Sequence, residues 1–251
     1  MKDSVIHDNH LPTRTGLCLV LGAILLLGGC ATGPTADRRD PMEPLNRGVF
    51  HFNDAVDRAV VKPVATVYRD VLPSPIRAGV TNFFNNLQDA WSAVNNALQG
   101  KGQAAGNSLM RFEVNTFLGL GGVLDIASEM QIERSSEDFG QTLGRWGVDS
   151  GPYVVLPLLG PSTVRDAAAL VVDAKGNLLS NVAVPERNSA KAVDLLDQRS
   201  RLLGATDMLD QVALDPYTFT RDSFLQRRRS QVYDGNPPDG SESDTLGNTA
   251  Q

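Results

Sequence analysis

Few side chains in this chain could make or break a bond. Its three histidines are His7, His10 and His51, and its two cysteines are Cys18 and Cys30. His7, His10 and Cys18 fall in an N-terminal stretch with the pattern of a removed leader, which leaves a mature chain with one imidazole and one thiol. One imidazole cannot build a His-cluster metal site, and one cysteine cannot close an internal disulfide. No metal or cofactor is therefore expected. A serine hydrolase would have to pair His51 as base with Ser92 or Ser108 as nucleophile. No Gly-x-Ser-x-Gly elbow surrounds either serine, and phosphate-loop, dinucleotide and His-Glu-x-x-His signatures are absent too. The carboxylate pair Glu137-Asp138 lies in a polar segment and reads as solvated, which gives glycosidase chemistry nothing specific. No catalytic residues are expected.

Asparagine is the polar residue that does cluster. Asn82, Asn85, Asn86, Asn95 and Asn96 share one helical stretch, with Asn46, Asn53, Asn107 and Asn115 nearby. Asparagine is a mediocre helix former, so these amides need partners. Capping and helix–helix bonds would supply them; so would a polar path through an otherwise apolar body, open to head groups or water.

The one thiol with a clear chemical setting is Cys30. Lys2 and Arg14 precede the apolar run from Gly16 to Leu27, and Leu26-Leu27-Gly28-Gly29-Cys30 closes it. About a dozen apolar residues are too few to span a bilayer, which takes about 20; behind a positive charge they read as an export signal over residues 1–29. The last five residues are similar to a bacterial lipobox, whose cysteine accepts a diacylglyceryl group and becomes residue one. Several acyl chains on one cysteine, at about 0.8 kcal/mol per buried methylene, make a stable anchor. Ala31, rather than Asp, follows the cysteine, which by resemblance to Gram-negative lipoproteins points to the outer membrane.

The elements that must position these residues read as helices. Ile76, Val80, Phe83, Phe84, Leu87, Trp91, Val94 and Leu98 recur at three- and four-residue steps between Ser74-Pro75 and Gly100, which predicts one long amphipathic helix or two abutting ones. Val49 to Val60 marks an earlier helix that Pro63 is expected to kink or end, and Ala192 to Leu203 a later one. Only Tyr153 to Leu156 hints at alternation. The expected class is all-α: a tether over residues 30–39, one domain over 40–230 and a disordered tail over 231–251. Composition agrees, with 41% hydrophobic residues in 251. The charge balance, 23 Lys and Arg against 29 Asp and Glu for a net −6, argues against a nucleic-acid partner. Two stretches are odd for a simple bundle: Phe117 to Leu124 and Gly147 to Pro161 are apolar loops bracketed by Gly and Pro. Such loops must be covered by protein, by a partner or by lipid.

The segment Asp40-Pro41-Met42-Glu43-Pro44-Leu45-Asn46-Arg47, followed by Phe52-Asn53, resembles the opening of the MlaA (VacJ) family of outer-membrane phospholipid-binding lipoproteins. The resemblance continues, in order, through Val94 to Gly100, Arg111 to Thr116, Gly119 to Asp125, Asp138 to Val148, Gly151 to Ser162, Arg165-Asp166 and Asp215-Pro216-Tyr217. Pro44 departs from the pattern, as do the tether and tail. The resemblance implies a ring-like helical lipoprotein on the periplasmic face of the outer membrane, associated with a trimeric porin. It would remove mislocalised phospholipid from the outer leaflet through an amphipathic channel. A soluble periplasmic carrier feeding an inner-membrane ABC transporter would receive the lipid. A porin-associated structural lipoprotein is the alternative, with a membrane-anchored hydrolase behind it. Expected lipid-path or gate residues are Phe50, Phe52, Asn53, Asn82, Asn86, Asn115, Tyr153, Val155, Leu156 and Leu158, with Cys30 as the lipid anchor. Phe50 and Phe52 stand about 200° apart on a helical wheel, so one should face a core and the other lipid or a channel mouth. The Gly151 to Gly160 segment is expected to be a mobile gate or a leaflet-contacting hairpin.

Overall fold

The computed structural model describes residues 37–238. The leader, Cys30, most of the tether and most of the tail lie outside the described residues. Helix α1 (Glu43–Val56) begins with Pro44 in its first turn, where a missing N–H costs nothing. A π-helical turn (Asp57–Val61) follows it, and α2 (Lys62–Val71) continues without a break. Pro63 thus neither ends nor interrupts the helix. The wider turn, in which the Lys62 N–H reaches the Asp57 carbonyl, relieves the clash that the proline ring would make one turn back.

Helix α3 (Ser74–Leu98) is the expected long helix, unbroken for 25 residues. Gly100, at φ +77°, turns the chain, and α4 (Gly102–Phe117) returns along α3. Two short helices, α5 (Ile126–Glu129) and α6 (Phe139–Arg145), are each capped by an aspartate, Asp125 and Asp138, that accepts a backbone N–H of the first turn. The apolar segment expected to be a mobile gate or a hairpin forms an antiparallel hairpin of β1 (Tyr153–Leu156) and β2 (Gly160–Thr163), with Tyr153 opposite Thr163 and Leu156 opposite Gly160. Its alternation is real but only four residues long, too short to stand out from a helical background. Then come α7 (Val164–Gly176), a 3₁₀ turn (Leu178–Asn181), α8 (Val184–Val212) and α9 (Pro216–Val232).

The packing closes into a circuit. Helix α2 lies on α8, α8 on α3, α3 on α6, α6 on α9, α9 on β2 and β1 on α1, with α4 outside α3 and α7 beside α6. Contacts extend to residues just outside 40–230. Asp37 already bonds Arg39 and Arg221, and Val232 is buried where Gly144 leaves it room.

Burial is inverted relative to a water-soluble domain. Among the described residues eight hydrophobic side chains are buried, three of them alanines, against twenty polar or charged ones. Large apolar side chains instead lie on the surface, including Phe117 at 81% exposure, Leu120 at 74% and Leu159 at 72%. Polar networks join the helices. Arg111, on α4, bonds Asp89 of α3, Asp125 and the Ile132 carbonyl, and Arg228, on α9, holds Asp138 and Asp166. Burial pushes the Asp89 carboxyl above its usual range despite Arg134 and Arg111. Burial also opposes ionisation of Asp138, but the Arg228 guanidinium outweighs it and holds that carboxyl low.

Candidate functional site

Asn46 and Asn53 lie seven residues apart on one face of α1, two helical turns, and both grip the hairpin. The Asn46 amide donates to the Tyr153 carbonyl at 3.0 Å and to Asp40 at 2.7 Å, and its oxygen accepts the Val155 N–H at 2.9 Å. Asn53 repeats this at the turn, donating to the Leu156 carbonyl at 2.9 Å and accepting the Leu158 N–H at 2.8 Å. The two side chains thus cap the free edge of β1 as a third strand would. Leu158 sits at φ +64°, a left-handed conformation that costs a non-glycine residue roughly 1–2 kcal/mol; the Asn53 bond helps to hold it.

Between the two clamps Phe50 turns inward. Its ring meets Tyr217 edge-on at 5.6 Å, and Tyr217 meets Tyr153 at 6.2 Å. Phe52 points away and is 52% exposed, so the two rings divide between core and surface as their spacing requires. Tyr217 opens α9, whose N-cap Asp215 accepts the Tyr217 and Thr218 N–H groups. Its hydroxyl donates a very short hydrogen bond to Asp40, which Arg221 also approaches at 3.4 Å. Burial and then the Asp40 carboxylate push the Tyr217 hydroxyl well above its ordinary pKa, and the same two causes raise Tyr153. Arg47 binds Asp215 through both terminal nitrogens, at 3.2 and 2.7 Å, and holds its carboxyl well below the usual range.

A cavity of about 340 Å³ opens beside this cluster, bounded by α1, the π turn, the hairpin, α8 and the start of α9. Its lining combines the apolar Phe50, Val155, Pro161 and Tyr217 with the charged Asp54, Asp57, Arg58, Lys62 and Arg199. Arg199 takes both Asp57 oxygens at 2.8 Å. Around the circuit the outward faces are apolar: Val60, Val64, Val67 and Val71 on the π turn and α2, Phe117 to Leu124 after α4, and Leu158 and Leu159 at the hairpin tip.

A family model described as MlaA lipoprotein matches residues 38–231. The chain belongs to the MlaA lipoprotein family. It is 36% identical over 214 residues to a protein of Escherichia coli K12 named intermembrane phospholipid transport system lipoprotein MlaA, covering 83% of this chain and 85% of that one. A protein of Haemophilus influenzae with the same name is 35% identical over 243 residues, covering 93% and 96%. A solved structure described as the structural basis for maintenance of bacterial outer membrane lipid asymmetry superposes with a TM-score of 0.70 at 34% identity, over 79% of this chain and all of that one.

Within this MlaA-type frame the expected lipid-path residues separate. Phe50, Asn53, Tyr153, Val155, Leu156 and Leu158 converge on the α1–hairpin junction, and Phe52 lies on the exposed side of the same helix. Tyr153 and Val155 are buried there, while Leu158 is exposed. Asn82, Asn86 and Asn115 form a second group beneath the Phe117 to Leu124 loop, bonding the Val123 carbonyl, Thr116 and Asp125 respectively. Asn86 and Asn115 are 2% and 3% exposed and bind helix to loop. Their tight setting explains Gly122, whose added Cβ would meet the Asn86 side chain at 2.6 Å.

The residues named for the hydrolase alternative are engaged elsewhere or exposed. Ser92 is buried and engaged with the Glu137 backbone, Ser108 is buried against Asn96 and Ser135, and His51 is exposed on α1 with its ring 5.9 Å from Phe50. What sequence reasoning did not give is the pairing of charges: Asp40 with Arg221, Arg47 with Asp215, and Arg199 with Asp57. Each pair joins segments more than a hundred residues apart, and nothing local in the sequence signals it. Asn46 was detectable, because it stands one heptad before Asn53.

Proposed function

We propose that this chain is the outer-membrane lipoprotein of an intermembrane phospholipid transport system. Anchored through Cys30 on the periplasmic face, it takes mislocalised phospholipid from the outer leaflet, passes it through the helical circuit, and so maintains outer-membrane lipid asymmetry. A trimeric porin seats it in the membrane. A soluble periplasmic carrier feeding an inner-membrane ABC transporter receives the lipid. The relatives from Escherichia coli and Haemophilus influenzae carry names for this transport system.

The observation that carries the reading is the inverted burial. A surface bearing Phe117, Leu120, Leu158 and Leu159 is unfavourable in water and costs nothing against hydrocarbon. Among the described residues no helix is long and apolar enough to cross a membrane, which suits a body lying within one leaflet. A shielded route is needed because a glycerophospholipid has about thirty chain methylenes, and exposing them to water costs on the order of 25 kcal/mol. Apolar faces and a cavity lined by both apolar and charged side chains replace the bilayer for the moving lipid without a covalent step, so the driving force comes from capture downstream. The hairpin is the gate in this scheme: it has two amide clamps on one edge and a free apolar tip.

Purified chain incubated with radiolabelled phospholipid tests the proposal. Co-purification of intact lipid, followed by its transfer to acceptor vesicles, is the expected result. Release of free fatty acid would instead establish a hydrolase, and absence of both binding and release would leave the porin-associated scaffold.

A further inference from the structure

We infer that the cavity between α1, the hairpin and α8 receives the head group of a phospholipid and selects zwitterionic head groups over anionic ones. This rests on the phospholipid-transport reading and adds which lipid class is preferred and where it is read.

The cavity has the polarity of an amphiphile. Phe50, Val155, Pro161 and Tyr217 make its apolar part. The charged residues Asp54, Asp57, Arg58 and Lys62 follow Phe50 along the same helix, from four residues or about 6 Å onward at 1.5 Å per residue, with Arg199 bonded to Asp57. The π turn (Asp57–Val61) supplies Asp57 and Arg58 to this lining, and such turns are frequent at functional sites.

The selectivity follows from how the charges are balanced. Three cations line the cavity, Arg58, Lys62 and Arg199, and three carboxylates, Asp54, Asp57 and Asp215. They stand as ion pairs: Arg58 with Asp54 at 2.9 Å, Arg199 with Asp57 at 2.8 Å, Lys62 with Asp207 just outside, and Arg47 holding Asp215. A phosphate bearing no compensating cation must break one of these pairs and leave a carboxylate without its partner, which is unfavourable in a partly desolvated site. A head group carrying both phosphate and ammonium can enter by exchange. Its phosphate meets the guanidinium of Arg58 or Arg199 while its ammonium meets the released Asp54 or Asp57, so neither protein charge is left without a partner. The pairs differ in readiness to exchange. Arg58 is 63% exposed on its side chain and Arg199 only 13%, which makes Arg58 and Asp54 the mobile pair at the mouth and Arg199 with Asp57 the fixed one.

The test uses the full chain in detergent, titrated calorimetrically with water-soluble dihexanoyl phosphatidylethanolamine and dihexanoyl phosphatidylglycerol. The zwitterionic lipid is expected to bind about tenfold more tightly, the size of effect that one unit of charge exerts across a partly screened site. Asp57→Asn removes the carboxylate that neutralises the Arg199 guanidinium; it should move the ratio toward phosphatidylglycerol by about tenfold. Arg58→Gln removes a cation and should move the ratio the other way. Should Asp57→Asn fail to fold by circular dichroism, Arg58→Gln and Arg58→Glu at the exposed rim decide the matter. Equal affinities in the unaltered chain, or variants that shift both lipids alike, overturn the inference. Transfer of labelled phospholipid between vesicles, run in parallel, separates the two levels. Transfer with no head-group discrimination removes only the selectivity, whereas no transfer by the unaltered chain removes the transport reading with it.

Discussion

Asn46 is the residue through which α1 holds the hairpin, and its replacement gives the sharpest test of that junction. The side chain is 2% exposed and makes three hydrogen bonds, to Asp40, to the Tyr153 carbonyl and from the Val155 N–H. Asn46→Ala leaves Asp40 with Tyr217 and Arg221, so that carboxylate loses little. The two β1 backbone groups that Asn46 serves are stranded in a buried place, at about 1–3 kcal/mol each. A loss of about 3–4 kcal/mol is expected, which for a chain of this size lowers Tm by roughly 10 °C.

Asn46→Asp extends the test into pH. The new carboxyl keeps the acceptor for Val155 but stands where an amide met Asp40 at 2.7 Å, so the folded state raises its pKa above the unfolded value. For an acid shifted in that direction the penalty is absent below the ordinary carboxylate range and grows as pH rises through the raised folded value. The aspartate variant should therefore match or fall below the alanine variant at pH 8 and recover relative to it at pH 5. Thermal melts followed by far-ultraviolet circular dichroism in detergent report both effects. If Asn46→Ala melts within a few degrees of the unaltered chain, or if the aspartate variant shows no added pH dependence, the clamp does not hold the hairpin.

Phe50→Ala should destabilise by about 2 kcal/mol for the half-buried ring, whereas Phe52→Ser should stay within about 0.5 kcal/mol yet weaken partitioning of the chain into vesicles; melts and vesicle flotation separate the two. Deleting two residues within Phe50 to Asn53 rotates the rest of the helix by about 200° and removes the Asn53 clamp while keeping Asn46. The expected outcome is a dominant outer-membrane permeability defect in cells that also carry the normal protein; a recessive phenotype with reduced protein would refute it. Gly122→Ala, at φ +95° with Asn86 at 2.6 Å, should cost more than Gly121→Ala, at φ +73° in open space, by about 1–2 kcal/mol in melts. Asp215 is held low first by Arg47, so its contribution is present above the ordinary carboxylate range and lost as pH falls through its depressed value; Asp215→Asn should flatten that acid limb.

How much of the fold was legible in the sequence depended on range. Helix α3 was readable to within two residues because its apolar residues repeat regularly and Ser74-Pro75 and Gly100 punctuate it. Pro63 misled, because the effect of a proline on a helix depends on the turn before it, and nothing in Asp57 to Val61 announces a π turn. The hairpin was only partly legible: Gly151 to Gly160 read as an apolar gate or leaflet-contacting hairpin, but its four-residue strands and its tip without the Asn-Gly type of turn left the pairing and register unmarked. The asparagines were conspicuous, but composition could not say whether an amide faces a channel or another helix. The structure gives Asn86 and Asn115 to the helix–loop contact and Asn46 and Asn53 to the hairpin.

The same amides explain why a domain with eight buried hydrophobic side chains among its described residues can hold one shape. Apolar surface drives folding by leaving water, and that drive disappears where the outer surface meets hydrocarbon, since a leucine gains nothing by moving from lipid to a core. Specific polar bonds then have to choose which helix lies on which. Arg111 with Asp89 and Asp125, Arg228 with Asp138 and Asp166, and Asn46 with β1 each join separate elements. Such bonds are directional and number few per contact, so an interface built from them can open at one place without unravelling the rest. The α1–hairpin junction is held by two amides and one aromatic cluster, and it stands beside the cavity. A gate placed there could move by exchanging four hydrogen bonds while the arginine networks elsewhere in the circuit keep the helices in register.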